Sequence, residues 1–143
     1  MKVYFSCSLT GGRQDQPIYA AIVDHLTRLG HNVLTAHLAS PDVMDEEAVV
    51  DPLAVYRRDI AWVEACEAMI AEVSTPSHGV GYEIAYALDR QKPVLCCYRA
   101  GTRVSKMILG NTMPHITVRA YRDEAEALQV VDSFFRTLNL LTK

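Results

Sequence analysis

Basic charge, paired cysteines and long apolar runs are all scarce in this chain, and each shortage removes a class of function. Lysine and arginine number 14 against 17 aspartates and glutamates, for a net charge of −3, and the basic residues are scattered. Binding a nucleic-acid polymer is therefore not expected, since a phosphate backbone selects for clustered positive charge. The four cysteines, Cys7, Cys66, Cys96 and Cys97, lie inside apolar segments without CxxC or Cys/His ligand spacing. Buried free thiols are expected, with neither disulfides nor a metal site. No apolar run approaches the roughly 18 residues of a membrane helix, and strand-like residues begin at Lys2 and Val3 where a leader would stand. The expectation is a cytoplasmic protein without membrane contact. Neither a GxGxxG dinucleotide fingerprint nor a GK[ST] phosphate loop occurs, and there is no internal repeat or low-complexity tract.

At 143 residues, half of them hydrophobic, the chain is expected to form a single domain over 1–143 with a substantial core. Strand-like and helix-like segments alternate from end to end, the pattern of an α/β fold. Strands are predicted over 3–8, 32–38, 68–73, 93–98 and, more weakly, 115–118. Helices are predicted over 15–29, over 53–65 after an Asp51-Pro52 start, from Ser77 or His78 onward, and over 102–109 and 123–141. Ile18, Ile22, Leu26 and Leu29 form the apolar stripe of the first helix, and Tyr56, Ile60 and Val63 that of the second. Residues 39–50, with Pro41 and an acidic cluster, read as a surface loop or ragged helix and a candidate lid. The predicted architecture is a Rossmann- or flavodoxin-like three-layer sandwich around a five-stranded parallel sheet. In such sheets ligands collect outside the carboxyl ends of the strands, where the winding reverses.

Several motifs fall at those ends. Glu83 follows the glycine-bearing turn Ser77-His78-Gly79-Val80-Gly81 and sits beside the Val80/Ile84/Ala87/Leu88 stripe. A carboxylate there is costly without a partner or a task; the plain alternative is a Glu that reaches water or an arginine. Asp59 is the second unusual acid, flanked by Tyr56, Trp62 and Val63, and it too has a plain reading, pairing with Arg57 or Arg58. Ser8-Leu9-Thr10-Gly11-Gly12-Arg13 offers donors and two glycines suited to an anion, or else a simple turn. The helix start at Ser77 is a second anion candidate, and two such turns could hold one phosphate between them. Tyr4 alternates with Val3 and Phe5 and could aim its hydroxyl at Glu83, or pack as a core tyrosine. Two semi-buried acids with phosphate-type loops suit cleavage of a glycosidic bond, one carboxylate for the sugar carbon and one acid for the departing group.

Taken together, Tyr4-Phe5-Ser6-Cys7-Ser8 with Gly11-Gly12-Arg13, Thr35-Ala36-His37, Arg58-Asp59-Ile60-Ala61-Trp62, Ala71-Glu72-Val73, the segment from Ser77 to Glu83, and Arg103 to Ile108 carry a resemblance. The chain resembles the nucleoside 2-deoxyribosyltransferase superfamily, in particular its 2'-deoxynucleoside 5'-phosphate N-hydrolases, over most of its length. That resemblance implies Glu83 as the nucleophile of a covalent glycosyl-enzyme, Tyr4 as its orienting partner, and Asp59 as the acid or sugar contact. It assigns phosphate to Ser8, Gly11, Gly12, Arg13, Ser77 and Gly79, with Ser105 reaching in from the neighbouring subunit of a homodimer. It places Leu9, His37 and Trp62 around base and sugar, and it implies no cofactor and no metal. A deoxyribosyltransferase, a hydrolase of the ribonucleotide CMP and a non-catalytic nucleotide-binding protein are the competing readings.

Overall fold

Alternate residues of the strands face two separate cores, and this sets the layer order. The computed structural model describes the backbone of residues 1–141 and side chains up to residue 139. On one face, Val3, Phe5, Ile70, Leu95 and Cys97 pack against Tyr19, Ile22 and Leu26 of α1 (Gln16–Arg28) and Val131 and Phe134 of α6 (Glu124–Leu141). On the other, Tyr4, Met69, Ala71 and Cys96 meet Val63 of α3 (Pro52–Ala65) and Val80, Ile84 and Leu88 of α4 (His78–Asp89). Strands β1 (Lys2–Ser6), β2 (Asn32–Val33), β3 (Ala68–Glu72), β4 (Val94–Arg99) and β5 (Ile116–Tyr121) are parallel, in the order β2-β1-β3-β4-β5. The flavodoxin-like expectation is met. Winding reverses between β1 and β3, so the crevice for a ligand opens at their carboxyl ends.

The caps act as the residue types foretell. Asp51 accepts hydrogen bonds from the Leu53 and Ala54 amides at 3.1 and 3.2 Å, ahead of Pro52. Ser77 caps α4 through the Val80 amide at 3.3 Å. All four cysteines are buried and free. Among the described residues no helix is long and apolar enough to cross a membrane.

Four expectations need correction. The second strand does not run to Leu38. The Thr35 hydroxyl accepts from the Phe5 amide at 2.9 Å and lies 2.6 Å from the Phe5 carbonyl oxygen, so a side chain takes over from the ladder and residues 36–39 turn into a 3-10 helix. The fifth strand is longer than predicted, because β4 supplies six consecutive partners up to Arg99↔Tyr121. Residues 102–109 are helical only in α5 (Lys106–Leu109), while residues 39–50 hold a short helix, α2 (Val43–Ala48), in keeping with the ragged helix expected there, with Val43 its one buried residue. The predicted stripes are also trimmed: Tyr56 is 51% exposed, because α3 meets the core only near its end at Val63, and Leu29 is 52% exposed, lying past the last turn of α1.

Candidate active site

Tyr4 and Ser6 are two residues apart on β1, so their side chains leave the same face of the strand. The apolar stripe of α4 lays that helix over them, which brings Glu83 down onto both hydroxyls. Tyr4 donates to one carboxylate oxygen at 2.9 Å and Ser6 to the other at 2.5 Å. Burial pushes the Glu83 carboxyl up to about 7; the Ser6 and Tyr4 hydrogen bonds favour the ionised form, the Asp59 charge disfavours it and Arg58 favours it. The plain reading, a Glu paired with an arginine or lost to water, is not what the structure shows. A carboxylate aligned through both oxygens and poised near neutral pH is equipped to act as a nucleophile or base.

Asp59 meets the partner that its plain reading named. Arg58 donates from Nε to an Asp59 oxygen at 2.8 Å and from Nη1 and Nη2 to the two oxygens of Glu47 at 2.9 and 3.2 Å. The guanidinium carbon lies 5.0 Å from the centre of the Trp62 ring. His37, carried by the 3-10 turn, shares Glu47 through Nε2 at 3.0 Å and meets Trp62 edge-on at 5.7 Å between ring centres. His37 and Trp62, expected together around base and sugar, thus form one wall beside Asp59. Glu47 and Arg58 completing that wall, and Ser6 as the second donor to Glu83, were not among the predicted site residues. Period-two alternation from Tyr4 could have found Ser6, whereas nothing in the acidic cluster around Glu47 distinguishes it.

The two predicted anion turns touch. A Cβ on Gly11 would lie 2.2 Å from the Pro76 carbonyl oxygen and 2.9 Å from the Ser8 hydroxyl, so only glycine lets the 8–13 loop approach the 75–77 loop. Gly12 has φ +130, a backbone state that side chains disfavour. Ser8 is fully buried and its hydroxyl has no partner among the described residues, which leaves a free donor beneath this junction. Around Gly79 the nearest atom to an added Cβ is 3.9 Å away, so the start of α4 is open. Arg13 differs from expectation in its engagement. It donates to the Ser8 carbonyl at 3.2 Å and the Ser40 carbonyl at 2.8 Å, and so ties the first turn to the segment leading into α2. Leu9 is half-buried and packs towards the α1 core.

Ser105 caps α5 through the Met107 amide at 3.2 Å. Within its own chain it lines a groove of about 1130 Å³ together with Ser77, His78, Gly81 and Met107. This groove does not include Glu83. It includes the Ser77 turn but none of Tyr4, Ser6 and Asp59, so its size is no guide to the chemistry.

A flavodoxin-like sheet whose switch point carries a hydroxyl-aligned, part-buried glutamate near two abutting glycine turns defines an α/β enzyme acting on a small anionic ligand. Its family is equally plain. The chain belongs to the nucleoside 2-deoxyribosyltransferase family, whose model matches residues 3–141. It is 43% identical over 121 residues to a Methanococcoides burtonii protein provisionally named 2'-deoxynucleoside 5'-phosphate N-hydrolase 1, covering 85% of this chain and 99% of that one. It is 37% identical over 142 residues to the 5-hydroxymethyl-dUMP N-hydrolase of Danio rerio, covering 96% and 98%. The solved CMP N-glycosidase of Clostridium botulinum shares the fold, with a TM-score of 0.71 at 20% identity over 94% of this chain and 99% of that one.

Proposed function

We propose that this protein hydrolyses the N-glycosidic bond of 2'-deoxynucleoside 5'-monophosphates, releasing free base and 2-deoxyribose 5-phosphate. The observation that carries the reading is Glu83, part-buried, with each carboxylate oxygen held by one hydroxyl of β1. A Glu83 oxygen forms a bond to the anomeric carbon while the carbon–nitrogen bond breaks and its electron pair leaves on the base. The base takes a proton from Asp59, a kind of assistance that typically contributes about 10²–10⁴-fold. Water then adds at the same carbon, passes a proton to the Asp59 carboxylate left by the first step, and displaces Glu83 as a carboxylate. No metal or redox cofactor enters these steps.

The 5'-phosphate lies at the junction of the two glycine turns, above the buried, unpartnered Ser8 hydroxyl and at the start of α4 around Ser77 and Gly79. His37, Trp62 and Leu9 border base and sugar. A second copy of the chain brings Ser105 to the phosphate in a homodimer, and the protein works in the cytoplasm. The family description supports one other reading, in which a second base and not water intercepts the glycosyl-enzyme.

A screen of all ribo- and deoxyribonucleoside monophosphates for released base tests the proposal. Release from deoxynucleotides, loss of it in Glu83→Gln, and a sugar adduct on the Glu83 peptide with a 2-fluoro-substituted deoxynucleotide are expected. No release from any monophosphate, or near wild-type turnover by Glu83→Gln, would refute it. CMP as the preferred substrate would refute the deoxyribose assignment, and exchange between a nucleoside and a free base would favour the transferase.

A further inference from the structure

We infer that Arg58 is a positioning residue that couples closure of the α2 lid to the alignment of Asp59, a conclusion that rests on the hydrolase reading for the role of Asp59. Consecutive residues on a helix do not face one another. Arg58 nevertheless donates to Asp59, with its guanidinium over Trp62 one turn further along α3, and an arginine held in this way gains from a second anchor. Glu47 supplies it with a two-pronged contact on the far side of the guanidinium, and Trp62 supports the flat face. The cluster is shielded, the side chains of Glu47, Asp59 and Arg58 being 13%, 16% and 25% exposed. Shielding of this order strengthens charge pairs relative to open surface, and the planar fork of arginine is what makes the two-sided hold geometrically specific.

The lid has little else to hold it. With Val43 as its one buried residue, α2 offers almost no apolar area to the body of the protein. Its polar tethers are Glu47 to Arg58 and to His37, with Arg13 donating to Ser40 and Gln16 to Ala39 at 2.7 Å in the segment before it. Burial disfavours the charge on Glu47, but the Arg58 and His37 contacts outweigh it and keep its carboxyl below the ordinary range. Moving α2 outward withdraws Glu47, frees Arg58 from one side and loosens Asp59; closing it over a bound nucleotide restores all three contacts. Arg58 then acts on rate through Asp59, without touching the reacting bond.

Arg58→Gln, Arg58→Lys and Glu47→Gln test this. In Arg58→Gln, kcat is expected to fall on the order of ten- to a hundredfold with a smaller change in KM, the size typical of misaligned catalytic groups. Arg58→Lys keeps the charge without the fork and should recover little of kcat. Glu47→Gln should fall in the same direction, and the Glu47→Gln/Arg58→Gln double variant should be no slower than Arg58→Gln alone, because the two act as one unit.

A readout independent of turnover is the Glu83 carboxyl titration in the free protein, followed by carbon-13 NMR. Glu83 is faced by Tyr4 and Ser6 from β1 and by Asp59 and Arg58 from α3, with Glu47 and His37 behind Arg58. Loss of the Arg58 cation should raise the Glu83 midpoint in Arg58→Gln, while Arg58→Lys should leave it near wild type. An unchanged midpoint in Arg58→Gln, kcat within about twofold of wild type, or independent effects in the double variant would overturn the inference. If the wild-type protein releases no base from any monophosphate, the hydrolase reading falls, and the titration alone still decides whether Arg58 acts on the carboxylates.

Discussion

Replacing Glu83 by glutamine is expected to abolish base release and to stabilise the fold by an amount that depends on pH. Burial lifts the Glu83 carboxyl from an ordinary 4.5 to about 7. Between those values the folded protein holds a proton that the unfolded chain has lost, so wild-type stability falls as pH rises through this window and levels off above it. The gap corresponds to about 3 kcal/mol, at 1.36 kcal/mol per pH unit. Glutamine carries no charge at any pH and keeps the shape of the side chain. The Tyr4 and Ser6 hydroxyls, which both donate and accept, can satisfy its oxygen and its amine. Urea denaturation of both proteins at pH 5 and pH 8 measures the effect. Glu83→Gln should be more stable than wild type by up to about 3 kcal/mol at pH 8, and by much less at pH 5. An equal difference at the two pH values, or a variant less stable at pH 8, would refute the claim that the site holds a buried carboxylate under strain.

The same carboxyl should set the acid limb of kcat/KM near pH 7, with activity rising as Glu83 ionises. Ser6→Ala removes a hydrogen bond to the charged form, worth about 1.5–3 kcal/mol, and a pH–rate profile should show the limb moved up by about one pH unit or more; a limb that stays or moves down would contradict this. Gly11→Ala should lower stability by about 1–3 kcal/mol, since the new methyl meets the Pro76 carbonyl, whereas Gly79→Ala should hold or raise stability. Denaturation measures both, and inorganic phosphate should compete less well with substrate in Gly11→Ala. Mixing Glu83→Ala with Ser105→Trp subunits should restore base release in hybrid dimers, which keep one unaltered site; a monomer in solution, or no recovery on mixing, would remove Ser105 from the shared site.

The order of strands and helices, the caps at Asp51 and Ser77, the burial of the cysteines and the placement of Glu83 beside the α4 stripe were all readable along the chain. Each depends on residues a few positions apart: alternation in strands, spacing of three and four in helices, a cap with its first turn. Where such patterns failed, a distant partner intervened. Thr35 ended the second strand by bonding Phe5 across the sheet, and β5 gained length because β4 was there to pair with it. Tyr56 was left outside because α3 packs on the core through its last turn, at Val63 and Trp62.

The site divides along the same line. The chain itself carried the acid, the tyrosine two residues before a serine on one strand face, and the paired glycines, because each is a choice of residue at a local position. Only the fold decided that Ser6 and Tyr4 would share one carboxylate, that Gly11 would rest on the Pro76 carbonyl, and that Arg58 would join Asp59 to Glu47 on another helix. Those contacts, like the depth of burial that lifts Glu83 towards neutrality, exist only once helices pack on both faces of the sheet and exclude water from the strand ends. No pattern of neighbours within a helix or strand encodes that exclusion.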